Sequence, residues 1–342
     1  MKRVLLPLAF ILMLTSCSTM SFISIQVLRP AQMPLPADAK RILIVNNAVP
    51  QPNNYGLTVF SFGTKVKTKA VANDSLAFYY VQELLKRFNS TKGRQYSLLY
   101  LDAGKRKTYL DESPISRYSL QNIADTTTAD CIISLDKLLI NSVMRSENYL
   151  GACRLTMDSQ IWPTLRIYSA DELQRPKVIR SQDSLYWEVY HSSVNGAAAA
   201  FPSMNLCYKD LIAYNIDKIT QQLLPSVEKV SRFYYYGNDI NLREAARYVS
   251  LERWDDAAEI WKYVYSVEKS KKKKAYSAAN LALYNELNDN FDKAIEWAQV
   301  AEKHFLSSGK TQMRYEAERI TTYISELSLR KEEATQLDKQ LP

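Results

Sequence analysis

Few residues in this chain have types and spacings that could do chemistry. There are only two histidines, His191 and His304. His191 is followed by Ser192 and Ser193, but a base and a nucleophile that adjoin in sequence do not make a triad, which is assembled in space. His304 stands beside Lys303 in a helical stretch and reads as solvated. Neither histidine has a cysteine or carboxylate at a metal-ligand spacing, so no metal and no cofactor are expected. Nucleophile-elbow, P-loop, dinucleotide-binding, zinc-protease and EF-hand patterns are all absent. The four cysteines, Cys17, Cys131, Cys153 and Cys207, form no CxxC pair. The chain therefore reads as non-enzymatic, with no catalytic residue to name. Cys17 differs from the rest by its setting. Lys2 and Arg3 precede an apolar run from Val4 to Leu14, and Leu14-Thr15-Ser16-Cys17 closes it. Those are the parts of a secretory signal, and the apolar run is too short to span a bilayer.

A leucine, two small residues and a cysteine at this place resemble the bacterial lipobox. The resemblance implies that residues 1–16 are a signal peptide, that the chain is cut before Cys17, and that Cys17 carries diacylglycerol and an amine-linked acyl chain such as palmitate. An ordinary signal with an incidental cysteine is the alternative. Ser18, not Asp, follows Cys17, and no acidic cluster comes next. By the same resemblance the protein is expected on the outer membrane, facing the periplasm. Export permits disulfides. Cys153 with Cys207 is the pair a bond would join, three reduced thiols being an equal alternative. Cys131, inside an apolar strand, reads as a buried thiol.

Composition narrows the class further. The 342 residues are 46% hydrophobic and 23% charged, which suits folded domains and argues against disorder. The formal charge is +8 and falls to +6 without Lys2 and Arg3. The basic residues are scattered rather than gathered on an aromatic-laced stripe, so no nucleic acid is expected. Anionic headgroups or acidic parts of peptidoglycan are nearer partners. Only 8 glycines occur, which argues against Gly-rich phosphate loops, while the 23 tyrosines suit half-buried surfaces.

Residues 17–37 read as a lipidated tether, stiffened by Pro30, Pro34 and Pro36, in which Ile23, Ile25 and Val27 alternate as an edge strand would. An α/β domain is expected over 38–230. The continuous apolar run Lys40–Asn47 predicts a strand buried on both faces. A helix over 75–88, strands over 96–101 and 129–140, and later strands near 153–161, 164–168, 177–180 and 185–189 follow. A short hairpin is expected at 57–62, a short helix from Ser116 or Ser119, a loop over 193–202, and a helix from Asn205 that Pro225 stops. The first half, with Lys40–Val45, Ser75–Phe88, Tyr96–Leu101 and Ala129–Ser134, is similar to the domain of curli-secretion lipoproteins and of lipoprotein activators of peptidoglycan synthases. Leu135-Asp136 stands where that pattern has Gly.

From Asn238 the alternation gives way to helical spacing. Arg253–Trp261 is echoed by Asn290–Ala298, and 37 positions separate Trp254 from Phe291 and Ala257 from Ala294. That is near the tetratricopeptide period. A module over 238–330 is expected, with a polar tail over 331–342. Ala245, Tyr248, Trp254, Ala257, Trp261, Ala282, Phe291, Ala294 and Trp297 take the structural repeat positions. Leu242, Ala246, Val249, Ala279, Leu283 and Glu286 fall on the face that would be concave, either as a peptide groove or covered by the protein's own helices. Lys271–Lys274 reads as a solvated loop or helix end, with a headgroup contact as the sharper alternative. Phe233–Gly237 is expected to pack the two domains together.

The fold class is thus an α/β (α+β) mixed-sheet domain followed by an α-helical tetratricopeptide-like repeat module. The whole also resembles an uncharacterised family of Bacteroidota lipoproteins, to which no activity attaches. The expected role is a membrane-anchored, non-enzymatic interaction or assembly factor of the cell envelope, with the membrane (through the lipid) and an envelope protein as partners. A lipoprotein that binds glycan or peptidoglycan fragments is the alternative.

Overall fold

The computed structural model describes residues 19–52, 55–66, 75–89, 95–101, 108–169, 175–340. Cys17 lies outside them. The chain divides into two compact units, one built on residues 31–225 and the other on 226–338 together with the N-terminal residues up to Pro30. Each is described separately below.

The first strand, β1 (Met20–Arg29), belongs to the second unit, so residues read as tether are structured strand there. The first unit begins with β2 (Arg41–Asn46), β3 (Leu57–Ser61) and β4 (Thr64–Val66). Then come α1 (Leu76–Asn89), β5 (Gln95–Tyr100), α2 (Arg117–Thr127), β6 (Cys131–Tyr149) and β7 (Ala152–Ser169). It closes with β8 (Lys177–Arg180), β9 (Asp183–His191), α3 (Val194–Ala200) and α4 (Met204–Leu223).

β2 lies between β5 and β6, parallel to both. Its side chains serve the two faces in turn. Ile42 and Ile44 join Tyr80, Leu84 and Phe88 of α1 and Leu211, Ile212 and Ile219 of α4 in one core. Leu43 and Val45 join Leu120 and Ile123 of α2 on the opposite side. This explains the unbroken apolar run, since a strand covered on both faces has no solvent side to spend on polar residues. Truncating one of these side chains, as in Leu84→Ala, should cost about 2–5 kcal/mol. Asn215 on α4 is fully buried but paired: it accepts from Tyr80 Oη at 2.8 Å and donates to Asp183 Oδ2 at 2.7 Å.

β6 and β7 form one antiparallel hairpin, longer than the sequence reading had it. Pro163 does not break β7; it sits opposite Leu138, just past a bulge between Leu135 and Lys137. A bulge adds a residue to one strand and re-aims its side chains, and here the added residue is Asp136. The hairpin turns at Leu150 and Gly151, both with positive φ, and the β3–β4 turn at Phe62 and Gly63 does likewise. That double left-handed turn matches the twist of the strands, and Gly adopts it without steric cost. The stretch 193–202, read as a loop, contains helix α3. Ser193 Oγ caps it by accepting from the Gly196 N–H at 3.1 Å, and a run of alanines, the best helix formers, outweighs Gly196.

The second unit pairs β1 antiparallel with β10 (Ser226–Tyr235) as a two-stranded ribbon. Five helices follow: α5 (Ile240–Ser250), α6 (Trp254–Val267), α7 (Lys271–Leu287), α8 (Phe291–Leu306) and α9 (Thr311–Gln340). The 37-residue echo has a backbone counterpart. Glu252 and Asp289, at matching positions before α6 and α8, both take a left-handed conformation, with φ of 58° and 54°. Ala245, Ala257, Ala282, Ala294 and Trp261 are buried where the helices meet, and Phe291 is nearly so, while Tyr248, Trp254 and Trp297 are half-buried. α7 is central and buried on almost every side, polar residues included. Lys271–Lys274 form its first turn rather than a loop, capped by Ser270. The residues after Lys331 continue α9 to Gln340. Phe233 and Tyr235 pack inside this unit: Tyr235 stacks on Tyr276 at 4.3 Å and Phe233 meets Tyr323 at 5.7 Å.

Candidate functional site

The face expected to be concave is covered. Leu242, Val249, Ala279, Leu283 and Glu286 are all buried and Ala246 is half-buried. What lies along α7 is the protein's own β10. The Asn280 side chain bonds both the N–H and the C=O of Tyr235, each at 2.7 Å, as a neighbouring strand would. Arg232 reaches Glu286 with three bonds of 2.9–3.0 Å. Tyr323 and Arg330 of α9 complete the shell of Glu286 at 2.6 and 2.8 Å. Burial alone would raise the Glu286 pKa, but the donors of Arg232, Tyr323 and Arg330 outweigh it and hold the carboxyl below its ordinary value. Burial and the Glu286 charge together push the Tyr323 phenol far up. Arg232 also meets the exposed Glu326 at 2.8 Å and Arg330 meets Asp289 at 3.6 Å, so the cluster is a satisfied ion network centred on a buried carboxylate.

The thiols and histidines are likewise absorbed by structure. None of Cys131, Cys153 and Cys207 forms a disulfide, and all three are buried. The Cys153–Cys207 bond is not formed: Cys153 packs with Leu155 and Ala197, and Cys207 on α4 directs its sulfur to the Pro202 carbonyl. Burial pushes the Cys207 thiol to about 11, well away from a nucleophile's range. His191 Nδ1 accepts the Ser193 N–H at 3.2 Å, while Ser193 Oγ caps α3, so the pair serves a helix start. Among the described residues there is no group of three or more metal-ligating side chains.

An open cleft with a mainly apolar wall and a few charged side chains appears where the sequence reading named none. It holds about 360 Å³ and is lined by Glu112, Lys137, Trp162, Pro163, Thr164 and Arg180, among others. Glu112 pairs with Lys137 and Arg180, each at 3.2 Å. Burial would raise the Glu112 pKa, yet those two cations hold it below the ordinary carboxylate value. Behind the cleft the bulged Asp136 is fully buried. It accepts from Asn47 Nδ2 at 2.5 Å and Ser134 Oγ at 2.6 Å, and it pairs with Arg166. Arg166 in turn donates to the Glu112 carbonyl at 2.7 Å, tying the buried pair to the cleft wall. Asn47 lies just past the C-terminal end of β2, the end of parallel strands where open α/β sheets commonly bind ligands. The clue in the sequence was the charge of Asp136, Lys137 and Arg166 inside otherwise apolar strands. Trp162 supplies a flat half-buried ring beside one carboxylate and two cations, the combination that holds a polar ring by stacking and hydrogen bonds.

A second cleft, of about 500 Å³, lies in the helical unit, lined by Thr19, Asp239, Arg243, Lys272, Lys273 and Tyr276, among others. Among the described residues no helix is long and apolar enough to cross a membrane.

Comparison with known proteins gives a family. No curated protein matches the chain. Among solved structures it is similar to the PelC dodecamer protein of Paraburkholderia phytofirmans, with 8% identity, 59% of this chain and 98% of that chain covered, and a TM-score of 0.23. It is similar also to the hypothetical protein CT253 of Chlamydia trachomatis, with 14% identity, 54% and 96% covered, and a TM-score of 0.23. Lipoprotein GNA1162 of Neisseria meningitidis shares 8% identity over 53% of this chain and 98% of that one, with a TM-score of 0.19. Likeness at that level carries no argument about function. Residues 243–329 match a second family model, described as Domain of unknown function (DUF6340). Residues 39–235, more than half the chain, match the model described as Domain of unknown function (DUF8603), and the chain belongs to that family.

Proposed function

We propose that this protein is a membrane-anchored lipoprotein of the cell envelope that acts as a non-enzymatic interaction or assembly factor. The observation that carries the reading is Leu14-Thr15-Ser16-Cys17 behind a basic and apolar leader, directly ahead of a folded strand that starts at Met20. Lipid on Cys17 would hold the two units at the membrane surface, and the outer membrane facing the periplasm is the location proposed. The helical unit is read as a short tetratricopeptide-like module of the Bacteroidota lipoprotein type, on its 37-residue spacing and its matching left-handed turns. Because β10 covers its inner face, a protein partner would dock elsewhere on the surface. Affinity capture of the lipidated protein from detergent-solubilised membranes is expected to recover one envelope protein in stoichiometric amount. Recovery of none would count against the interaction role.

One observation favours the second reading, a glycan- or peptidoglycan-fragment-binding lipoprotein. Trp162, Glu112, Lys137 and Arg180 line one open cleft, and an anionic sugar could stack on the ring and meet the two cations. Calorimetric titration with peptidoglycan fragments tests it: heat that disappears in Trp162→Ala supports binding there, and no heat with the parent protein removes the reading.

A further inference from the structure

The basic first turn of α7 is left unexplained by that role. Lys271, Lys272, Lys273 and Lys274 stand together at the start of a helix with no acidic residue among them. Four like charges repel there, and each also opposes the positive end of the helix dipole. The chain compensates only part of this. Lys273 Nζ meets Asp239 at 2.6 Å and Glu268 at 2.7 Å. Lys271 Nζ donates to the Ser307 carbonyl at 2.8 Å. Lys272 and Lys274 lie only over aromatic rings, Tyr276 at 5.4 Å and Tyr265 at 5.1 Å. Among the described residues no carboxylate pairs with Lys272, Lys274 or the exposed Arg243. The surplus is felt nearby: after burial itself, Lys274, Lys271 and Lys303 lower the pKa of His304.

Lys272 and Arg243 line the same 500 Å³ cleft, and so does Thr19. Thr19 is fixed in that wall. Its carbonyl accepts the N–H groups of Tyr236 and Gly237 at 3.0 and 3.2 Å, and its hydroxyl lies 3.1 Å from Tyr276 Oη. Thr19 is two positions from Cys17 in the chain, a span of at most about 7 Å. The cleft wall thus carries two cations that no described carboxylate pairs, beside Asp239 that is paired with Lys273, and it includes a residue two positions from the one that would carry the lipid.

We propose that this cleft binds the phosphate of an anionic phospholipid headgroup, held by Lys272 and Arg243, and so lays this end of the helical unit on the membrane. The proposal rests on the reading of Cys17 as the lipid anchor. The ammonium of Lys272 supplies a point charge and the guanidinium of Arg243 a planar fork that matches phosphate oxygens. A juxtamembrane cation gains from the negative surface potential only within about a Debye length, which the short reach from Cys17 satisfies.

The test uses the chain from residue 17 onward with Cys17→Ser, which removes the lipid and keeps every described residue. Its sedimentation is measured with phosphatidylethanolamine vesicles, with and without phosphatidylglycerol. Binding should favour the vesicles that contain phosphatidylglycerol. Each of Lys272→Ala and Arg243→Ala should weaken it about five-fold, and the two together about 25-fold. Lys293→Ala with Arg314→Ala, a pair of equal charge away from the cleft, should leave it unchanged. The exchange Lys272→Arg with Arg243→Lys should keep the preference, and thermal melts of each variant show that the fold survives. No preference for phosphatidylglycerol, or equal weakening by the distant pair, overturns the proposal. The anchor is judged separately, from the mass of the N-terminal peptide of the full processed protein. An unlipidated Cys17 beside an intact vesicle preference refutes the anchor and supports the headgroup site.

Discussion

The two units each bury an arginine–carboxylate pair, and they use it differently. In the helical unit Glu286 is closed in by Arg232, Arg330 and Tyr323, with Arg232 and Glu286 almost wholly buried. In the sheet unit Asp136 is equally buried, but its partner Arg166 is bonded onward to Glu112, whose carboxylate faces an open cleft. A network centred on a fully buried carboxylate fixes the packing of β10 and α9 on α7. A network that ends at a cleft can also position a side chain that meets a ligand. The difference identifies the sheet unit's cleft, rather than the covered repeat face, as the place to look for small-molecule binding.

The sharpest way to break that contrast is Glu286→Ala. It removes the buried carboxylate that Arg232, Arg330 and Tyr323 share and leaves Arg232 to the exposed Glu326 at 2.8 Å and Arg330 to Asp289 at 3.6 Å, so the helical unit should lose about 3–5 kcal/mol of stability, read as a urea midpoint shift. The same carboxyl sets an acid limit. Its folded pKa is lowered from 4.5, so its contribution is complete above about that pH and is lost as pH falls through the lowered value. Glu286→Gln should remove that part of the acid unfolding curve. Asp136→Asn comes next, at about 3 kcal/mol, because it leaves Arg166 without its charge partner while the bonds from Asn47 and Ser134 can be partly remade. It should also disturb glycan binding, if the cleft binds glycan, through the Arg166–Glu112 link. Glu286→Ala should not.

Trp162→Ala should cost about 2 kcal/mol in stability, since the ring is only partly exposed, and abolish any heat of glycan binding. The smallest expected effect is at Asp130. Side-chain and backbone bonds from Arg41, joined by the Lys40 N–H, hold its pKa down to about 2. Asp130→Asn should therefore lower stability by about 1 kcal/mol at neutral pH. That contribution is present above the ordinary value of 3.8 and fades as pH falls toward about 2, so parent and variant should converge in acid.

What could be read from the sequence follows how local each signal is. The run Ile42–Val45 announces a strand buried on both faces because every residue in it is apolar. The 37-residue echo announces the helical pairs because it repeats aromatic and small residues in register. The partner of β1 was less legible: Phe233–Gly237 reads as an aromatic junction, and Ser226–Tyr235 shows itself as a strand only in its antiparallel register with Met20–Arg29. The covering of the repeat face depends on that same strand, so it was hidden too. The Asp136–Arg166 pair joins residues 30 positions apart, brought together by one hairpin register and one bulge. Neither residue shows its partner in its own neighbourhood. Cys17 is the opposite case, since all of its meaning lies in the sixteen residues before it.

The account turns on that cysteine. Envelope fractionation of cells that express the parent chain and Cys17→Ala, with the mass of the mature N-terminus, tests it most directly. The parent should be cut before Cys17, carry acyl mass on it and sediment with the outer membrane, and the variant should stay unprocessed or leave the membrane. A Cys17→Ala protein that is processed and retained on the membrane like the parent would contradict the account.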